Sequence, residues 1–340
     1  MTAVGSYPCN TVRVEAGARL HGGFHRVPSS SREWAGLGFY IQEPRTIVEA
    51  GPAREESVEV DADPRVAGTV ERAIKSLGVS GVRIRVVESI PRHVGLGSTT
   101  QTVLSSILAA MILKQGGKPG EETLLRAAVQ AGRGRVSGVG TLLFLYGGFI
   151  VEAGKKSGIP VPMYRAPLPD DWMFIVILPE AGRGLPEGRI EDSILDNMPP
   201  AGDDVLGIME RGTYRMLRAL ALGDVDMFLD GLSMVQTATG KYFSKHQGGT
   251  YRRDIATLAD EARRDGIILA QSSWGPTLYT ITTRDRVESD LKTLKMIMKL
   301  TGVRGKIWVT RARKKPATAE CATQTHRLGT HAVRRRLSKA

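Results

Sequence analysis

The stretch Pro91-Arg92-His93-Val94-Gly95-Leu96-Gly97-Ser98-Thr99-Thr100 joins two segments with different hydrophobic patterns. Residues 82–87, before it, carry β-branched residues at alternate positions, which predicts a β-strand. Residues 101–115, after it, are rich in Leu, Ile, Ala and Met and contain no Gly or Pro, which predicts a mostly buried helix. The stretch is therefore predicted to be a loop that connects a strand to a helix.

This loop has the composition of an anion-binding turn. Its glycines allow a sharp change of direction and leave room for a ligand. The hydroxyl residues at 98–100 can cap the following helix, whose N-terminus offers free N–H groups and a positive dipole end. A simple tight turn fits the glycines equally well, and neither Walker A nor Gly-x-Gly-x-x-Gly is matched. The predicted phosphate- or diphosphate-binding residues are Gly95, Leu96, Gly97, Ser98, Thr99 and Thr100.

Length and composition are those of a globular protein. The 340 residues are 41% hydrophobic and 24% charged, which is ordinary and allows more than one domain. We expect no membrane span and no signal peptide, and therefore a cytoplasmic location. Cys9 and Cys321 lie near opposite ends of the chain, so no disulfide framework is predicted and the pattern suits a reducing cytosol.

The positive charge is concentrated at the C-terminal end. Of the net charge of +12, residues 311–340 contribute nine Lys or Arg and one acid, which leaves +4 for the first 310 residues. This distribution predicts a basic, solvated tail over 313–340. Association of the tail with RNA or a membrane surface is the alternative, although nucleic acid is not the expected partner because no folded segment carries the charge.

The remaining pattern predicts an α+β protein with two domains. Residues 144–151 are predicted to be a strand that contains Gly147-Gly148, and residues 240–249 a glycine-bearing loop. The Pro-rich segment 159–169 is the predicted linker, which divides the chain into domains 1–165 and 166–312 before the tail. The second domain alternates helices and strands like a small α+β sandwich.

Several motifs together resemble known families. Residues 91–100 resemble the second motif of the GHMP small-molecule kinase superfamily, Pro-x-x-x-Gly-Leu-Gly-Ser-Ser. Other segments are similar to the β-ribofuranosylaminobenzene 5′-phosphate synthase family, and the most specific is Gln271-Ser272-Ser273-Trp274-Gly275-Pro276-Thr277. The further matching segments are Arg19-Leu20-His21, Gly36-Leu37-Gly38-Phe39, Ser137-Gly138-Val139-Gly140, Gly147-Gly148-Phe149-Ile150-Val151 and Gly240-Lys241-Tyr242-Phe243.

The resemblance implies a fold and a reaction. The fold would combine an N-terminal domain like ribosomal protein S5 domain 2 with a ferredoxin-like C-terminal domain. The reaction would be an archaeal step of methanopterin biosynthesis that joins 4-aminobenzoate to phosphoribosyl diphosphate and releases carbon dioxide and diphosphate. Mg²⁺ is the implied cofactor, and a homodimer is the expected assembly.

The same resemblance suggests a role for each candidate residue. Ser98 would bind Mg²⁺ at the diphosphate loop, where metal and backbone donors stabilise the departing charge. Arg19 would hold the carboxylate of the aromatic substrate, and His21 would orient a substrate or move a proton. The remaining predicted substrate-binding residues are Gly138, Gly140, Gln271, Ser272, Ser273, Trp274 and Gly275, with Trp274 stacking on the aromatic ring and the serines holding the 5′-phosphate. A surface ion pair for Arg19 and a core position for Trp274 are equally compatible with the sequence.

Two other functions stay open from sequence. An ATP-dependent small-molecule kinase would use the same fold with ATP as cofactor. Ser137-Gly138 is not followed shortly by an acid, which argues against a kinase that uses an aspartate as base at this place. An RNA-binding protein would instead depend on the basic tail and would bind with a steep salt dependence.

Overall fold

A computed structural model describes residues 9–28, 33–54, 56–180, 189–322 and 334–336. The strands are β1 (Thr11–Arg26), β2 (Trp34–Pro52), β3 (Val58–Asp61), β4 (Val82–Glu88), β5 (Phe149–Lys156), β6 (Ile159–Ala166), β7 (Trp172–Pro179), β8 (Ala270–Gln271), β9 (Leu278–Thr283), β10 (Gly305–Arg311), β11 (Thr318–Ala322) and β12 (Arg334–Arg336). The helices are α1 (Pro64–Ser76), α2 (Ser98–Gln115), α3 (Glu121–Gln130), α4 (Val139–Tyr146), α5 (Arg189–Asn197), α6 (Asp203–Leu222), α7 (Val225–Gln247), α8 (Arg253–Arg264) and α9 (Val287–Leu300).

The first sheet is built around the long hairpin β1–β2. Its order is β12-β11-β1-β2-β4-β3, and β5 and β6 extend from a different part of β2. β2 reaches both neighbours because it is 19 residues long: residues 47–52 pair with β4 and residues 36–39 pair with β5. Only β3 and β4 run parallel among the described pairs of this sheet.

The helix that follows the opening stretch lies at the centre of the first half. Nearly every residue of α2 is buried, and the helix packs against β1 and β2. The same hydrophobic cluster includes side chains of α1, α3 and α4. The predicted strand β4, the loop and the buried helix α2 are all present in the structure.

The second sheet is antiparallel, with the order β10-β7-β9-β8. α8 and α9 contribute to the hydrophobic cluster on one of its faces. A separate cluster joins β7 and β9 to β1 and β2 through α7, with Phe228 and Leu232 fully buried between them. The chain passes from the first sheet to the second within residues 167–171, where we propose the boundary between the two predicted domains.

The segment after residue 138 differs from its prediction. Residues 139–146 form helix α4, and β5 begins only at Phe149, so the predicted strand 144–151 was half wrong. Gly147 ends the helix with a φ of 73°, and a Cβ there would lie 2.6 Å from the carbonyl oxygen of Lys314. The two glycines therefore separate a buried helix from a strand, whereas the sequence pattern placed them inside a strand.

Two further segments carry regular structure where loops were predicted. Residues 159–166 form the edge strand β6, which tolerates Pro160 and Pro162 because it pairs only with β5 among the described strands. Residues 240–247 continue α7, and Gly240 is packed so closely that a Cβ there would lie 2.5 Å from the carbonyl oxygen of Thr250. The predicted linker and glycine loop are therefore wrong over these residues.

The C-terminal segment returns to the first sheet. β11 pairs antiparallel with β1, and Cys321 forms a disulfide with Cys9 across 312 residues of sequence. The prediction that the chain has no disulfide framework was wrong, because the pairing depends on a strand contact that spacing does not reveal. The cysteines therefore no longer indicate a reducing compartment, and the cytoplasmic location stays a prediction. Of the tail beyond Ala322, the described residues include only β12.

No helix within the described ranges is both long and apolar enough to span a bilayer.

Candidate functional site

The loop before α2 has an unusual backbone that leaves the helix start open. Gly95 has a φ of 87° and Gly97 a φ of 73°, conformations that favour glycine. Gly97 is the N-cap of α2, and among the described residues no side chain caps the first turn. Ser98, the first helical residue, is not the cap that the sequence predicted. The first N–H groups of α2 have no carbonyl within the helix to bind, so they are available to an anion.

Arg19 on β1 lies against this helix start. Its backbone N–H donates to the carbonyl oxygen of Leu96 at 3.0 Å, and its Nη1 donates to the carbonyl oxygen of Gly95 at 3.1 Å. A Cβ at Gly97 would lie 3.3 Å from Nε of Arg19, and a Cβ at Gly140 would lie 3.9 Å from the same atom. The guanidinium group is therefore between the first turns of α2 and α4.

A buried glutamine joins the two helices. Nε2 of Gln101 in α2 donates to the carbonyl oxygen of Gly140 in α4 at 3.0 Å. The hydroxyl of Tyr40 donates to Oε1 of the same glutamine at 3.2 Å and accepts from the N–H of Gly17 at 2.8 Å. These bonds fix the spacing of the two helix starts on the β1–β2 hairpin, so the positive ends of both helix dipoles face the same region.

The start of α4 is capped by the buried side chain of Glu152 and the half-buried side chain of Ser137. Oε1 of Glu152 accepts from the N–H of Gly138 at 2.7 Å, and Oγ of Ser137 accepts from the N–H of Val139 at 3.2 Å. Gly138 must be glycine because a Cβ there would lie 2.2 Å from Cβ of Pro160. The predicted residues Gly138 and Gly140 thus shape the helix start beside Arg19.

His21 is buried behind the same region. It is 3% exposed, and its Nε2 lies 3.1 Å from Oγ of Ser137. Burial and then the charge of Arg19 hold the pKa of His21 well below its ordinary value, while an interaction with the backbone of Gly23 raises it. The imidazole is therefore neutral near pH 7, and its burial favours a positioning role over direct contact with a substrate.

The turn 271–277 is bonded to the loop. Oγ of Ser272 donates to the carbonyl oxygen of Gly95 at 2.5 Å and accepts from the N–H of His21 at 2.9 Å. Oγ1 of Thr277 donates to the carbonyl oxygen of Val94 at 2.6 Å. A Cβ at Gly275 would lie 2.1 Å from that same carbonyl oxygen. The predicted residues Ser272 and Gly275 therefore hold the loop in place.

Gln271 and Trp274, in the same segment 271–277, contact other parts of the protein. The side chain of Gln271 bonds with Ser273, Gln247 and the N–H of Arg252. Trp274 is 6% exposed and its ring lies 5.1 Å from that of Phe243 in an aromatic cluster. The cavity beside it measures about 10 Å³, room for about one water, so a substrate ring does not fit there.

The donor set limits how a metal could bind. No group of three or more His, Cys, Asp or Glu with metal-binding geometry is present in the described part of the chain. Mg²⁺ typically combines a few protein oxygens with substrate phosphates and water. The residues at the start of α2 fit an ion that arrives with a diphosphate and gains at most the hydroxyl of Ser98.

The structure thus brings together Arg19, His21, the loop 95–100, the start of α4 and Ser272. Sequence reasoning did not select Ser137 or Glu152 as site residues. Ser137 lay inside a quoted motif, and Glu152 is a lone acid in the otherwise apolar start of β5. An isolated acid among buried strand residues was the available signal.

The fold and the loop define the class of protein: the chain has the GHMP kinase fold. The family described as GHMP kinases N terminal domain matches residues 65–148, which include the loop and α2. Homoserine kinase from Cytophaga hutchinsonii is similar in structure, with a TM-score of 0.68 and 16% identity over 94% of this chain and 99% of that one. Mevalonate pyrophosphate decarboxylase from Streptococcus pyogenes has a TM-score of 0.65 and 13% identity over 91% and 98%. These likenesses establish the fold alone.

Sequence similarity is more specific. The chain is 25% identical over 333 residues to a β-ribofuranosylphenol 5′-phosphate synthase from Methanocaldococcus jannaschii, covering 88% of this chain and 97% of the relative. It is 29% identical over 275 residues to the enzyme of the same name from Archaeoglobus fulgidus, covering 75% and 82%. The resemblance inferred from the motifs is confirmed: these archaeal synthases are homologues of the chain over most of its length.

Proposed function

We propose that the protein transfers the phosphoribosyl group of phosphoribosyl diphosphate to a para-substituted benzoate, with loss of carbon dioxide and diphosphate. The observation that carries this proposal is the position of Arg19 between the open first turn of α2 and the start of α4. A guanidinium and uncapped N–H groups together suit an anion that gains charge during the reaction.

The diphosphate would bind at the first turn of α2. The N–H groups of residues 98–100 and the guanidinium of Arg19 would stabilise the negative charge that develops as the bond from C1 of the ribose to diphosphate breaks. This assignment moves Arg19 from the carboxylate of the acceptor, its role in the sequence interpretation, to the leaving group. Mg²⁺ bound to the diphosphate would neutralise further charge, with Ser98 as its protein oxygen.

The bonding changes balance without a general base. C1 of the ribose bonds to the ring carbon that bears the carboxylate, and diphosphate leaves with the electron pair of its C–O bond. The bond from the ring to the carboxylate then breaks and returns its electron pair to the ring, which releases carbon dioxide and restores aromaticity. The protein therefore needs to hold and orient its two substrates, and no carboxylate at the loop is required.

The para substituent of the acceptor is the open detail. The names of the archaeal relatives give a ribofuranosylphenol phosphate, which carries a hydroxyl group. The motif resemblance gave 4-aminobenzoate, which carries an amine. Both groups donate electrons to the ring carbon that must attack, so either acid is chemically competent. We propose a homodimer as the assembly, which light scattering of the purified protein can test.

The deciding experiment supplies phosphoribosyl diphosphate, Mg²⁺ and carboxyl-labelled 4-hydroxybenzoate or 4-aminobenzoate to the purified protein. We expect release of labelled carbon dioxide without ATP, and the faster acid identifies the acceptor. An ATP-dependent kinase is the second candidate, supported by the structural likeness to homoserine kinase. Consumption of ATP with no carbon dioxide from either acid would select the kinase and reject the synthase.

A further inference from the structure

Glu152 is a buried carboxyl group of the first sheet that forms no ion pair with another described residue. It is 1% exposed on β5, and its two oxygens face the start of α4. Oε1 accepts from the N–H of Gly138 at 2.7 Å, and Oε2 lies 3.1 Å from Oγ of Ser137. No salt bridge to Glu152 occurs among the described residues. A buried acid in this position requires its hydrogen bonds to be complete.

The hydroxyl of Ser137 connects Glu152 to His21. Its oxygen lies 3.1 Å from Oε2 of Glu152 and 3.1 Å from Nε2 of His21, and it accepts from the N–H of Val139 at 3.2 Å. A hydroxyl has one proton to donate. It can therefore donate either to Glu152 or to His21, and the remaining group must then donate to the hydroxyl oxygen.

The pKa values of Glu152 and His21, the two residues that Ser137 connects, are both shifted. Burial raises the pKa of Glu152 to about 8, although the N–H of Gly138, the hydroxyl of Ser137 and the charge of Lys155 act to lower it. The pKa of His21 lies well below its ordinary value, for the reasons given above. Near neutral pH the carboxyl is therefore protonated and the imidazole is neutral.

We propose that Glu152, Ser137 and His21 form a proton relay that sets which ring nitrogen of His21 is protonated and holds the start of α4 beside Arg19. In this relay Glu152 and Ser137 are positioning residues. The relay itself rests on the contacts of Ser137 with Glu152 and His21, whereas its effect on turnover rests on the proposed function.

The two states of the relay differ by one proton. With Glu152 protonated, its Oε2–H donates to Ser137, Ser137 donates to Nε2 of His21, and Nδ1 carries the ring proton. When the relay releases one proton to solvent, the ring gives up its Nδ1 proton, Nε2 receives the proton of Ser137, and Ser137 receives the proton of Glu152. The carboxylate is then ionised, and the imidazole stays neutral in its other tautomer.

Backbone hydrogen bonds connect the relay residues to the proposed anion site. The first N–H groups of α4 are held by Glu152 and Ser137, and the same turn contains Gly140 beside Arg19. The backbone N–H of His21 donates to Ser272, which in turn donates to the carbonyl oxygen of Gly95 in the loop. A change in the relay therefore acts on both walls of the anion site.

The surrounding charges are few. Arg19 on β1 faces His21, and Lys155 on β5 faces Glu152. Glu33, before β2, and Arg135, before α4, act on Lys155 in opposite directions. Burial lowers the pKa of Lys155 itself, and the charges of Glu152 and Glu33 act to raise it.

The experiment follows the ring nitrogens of His21 by NMR in protein labelled with ¹⁵N-histidine, with H21Q to identify the signal. In the wild type we expect the proton on Nδ1 at pH 6 and on Nε2 at pH 9.5. In E152Q the amide oxygen can accept from Gly138 and the amide N–H can donate to Ser137, so we expect the Nδ1 tautomer at both pH values. The matched control is E33Q, which changes an acid that accepts from the N–H of Lys155 outside the relay and should switch like the wild type.

A wild-type His21 that keeps one tautomer from pH 6 to 9.5 would overturn the relay, as would an E152Q protein that still switches. If E152Q does not fold, the wild-type titration and the S137A variant still test the relay. S137A removes the connecting hydroxyl, so the tautomer of His21 in this variant should no longer depend on whether Glu152 is protonated.

A second measurement separates the relay from the proposed function. If the protonated relay is the active state, kcat/KM for carbon dioxide release should fall about tenfold from pH 8.5 to 9.5 in the wild type and stay level in E152Q. A tautomer switch in a protein that releases no carbon dioxide would reject the proposed reaction and keep the relay. Carbon dioxide release with no switch would reject the relay and keep the reaction.

Discussion

The loop before α2 and the turn before β9 have similar compositions but use their polar groups differently. Both combine glycines with adjacent hydroxyl residues, in Gly97-Ser98-Thr99-Thr100 and in Ser272-Ser273-Trp274-Gly275. In the loop, no side chain from the described part of the protein caps the first turn of the helix. In the turn, the hydroxyl of Ser272 donates its single proton to the backbone of Gly95 and accepts from the backbone of His21.

The difference shows that composition alone does not identify a ligand site. A buried hydroxyl that already donates and accepts within the protein has little left to offer a phosphate. Backbone N–H groups at a helix start remain available because the helix itself cannot satisfy them. The loop is therefore the better candidate for anion binding, and the turn is better understood as the structure that holds it.

The largest effect is expected from G275A, which tests the structural role of the turn. A Cβ at this position would lie 2.1 Å from the carbonyl carbon of Val94 and 2.3 Å from the backbone nitrogen of Gly95, and backbone cannot easily move away. We expect a loss of about 3 kcal/mol in the free energy of unfolding, measured by urea denaturation. G117A is the matched control, since no atom of the described residues lies within 4 Å of the added Cβ. Equal stability of the two variants would contradict the close contact.

The next effect is expected from R19A, which tests the loop as the anion site. Loss of the guanidinium between the two helix starts should reduce kcat/KM for carbon dioxide release about 100-fold and weaken binding of inorganic diphosphate. R92A is the control, because Arg92 lies on the same loop but pairs with Asp63. If R19A binds diphosphate as the wild type does, the anion site lies elsewhere.

S272A tests whether Ser272 stabilises the loop or binds the phosphate of a ligand. The substitution leaves the buried N–H of His21 and the carbonyl oxygen of Gly95 without their shared partner, so we expect a loss of about 2 kcal/mol in unfolding free energy. Diphosphate affinity of the folded fraction should change little. A stable S272A protein with strongly reduced affinity for a 5′-phosphate ligand would instead restore the role that the sequence suggested for this serine.

Much of the fold followed from periodicity, because the relevant residues are close in sequence. The alternation in β4 and the apolar run of α2 predicted both elements around the loop. The pattern failed at α4, whose residues are apolar on every side and therefore carry no helical periodicity. Fully buried helices and strands of this length look alike in sequence.

The site was predictable only in part, because its geometry depends on distant segments. Arg19, Gly95 and Ser272 were selected from motifs, and the structure brings them into direct contact. Nothing local indicates that Ser272 would be consumed by the backbone, or that Glu152 would cap a helix 14 residues earlier. The Cys9–Cys321 disulfide is of the same kind, since it depends on the pairing of β1 with β11.

The smallest effect is expected from S98A, which tests whether the hydroxyl at the first position of α2 adds to its backbone donors. If Ser98 supplies an oxygen to Mg²⁺-diphosphate, S98A should reduce kcat about tenfold while the unfolding midpoint stays near that of the wild type, because the hydroxyl caps no N–H group. S105A is the control on the same helix, since its buried Oγ has no hydrogen-bond partner among the described residues. Unchanged turnover in S98A would leave anion binding to the backbone and Arg19 alone. That outcome would sharpen the contrast with the turn, because the loop would then bind through main-chain groups that composition does not encode.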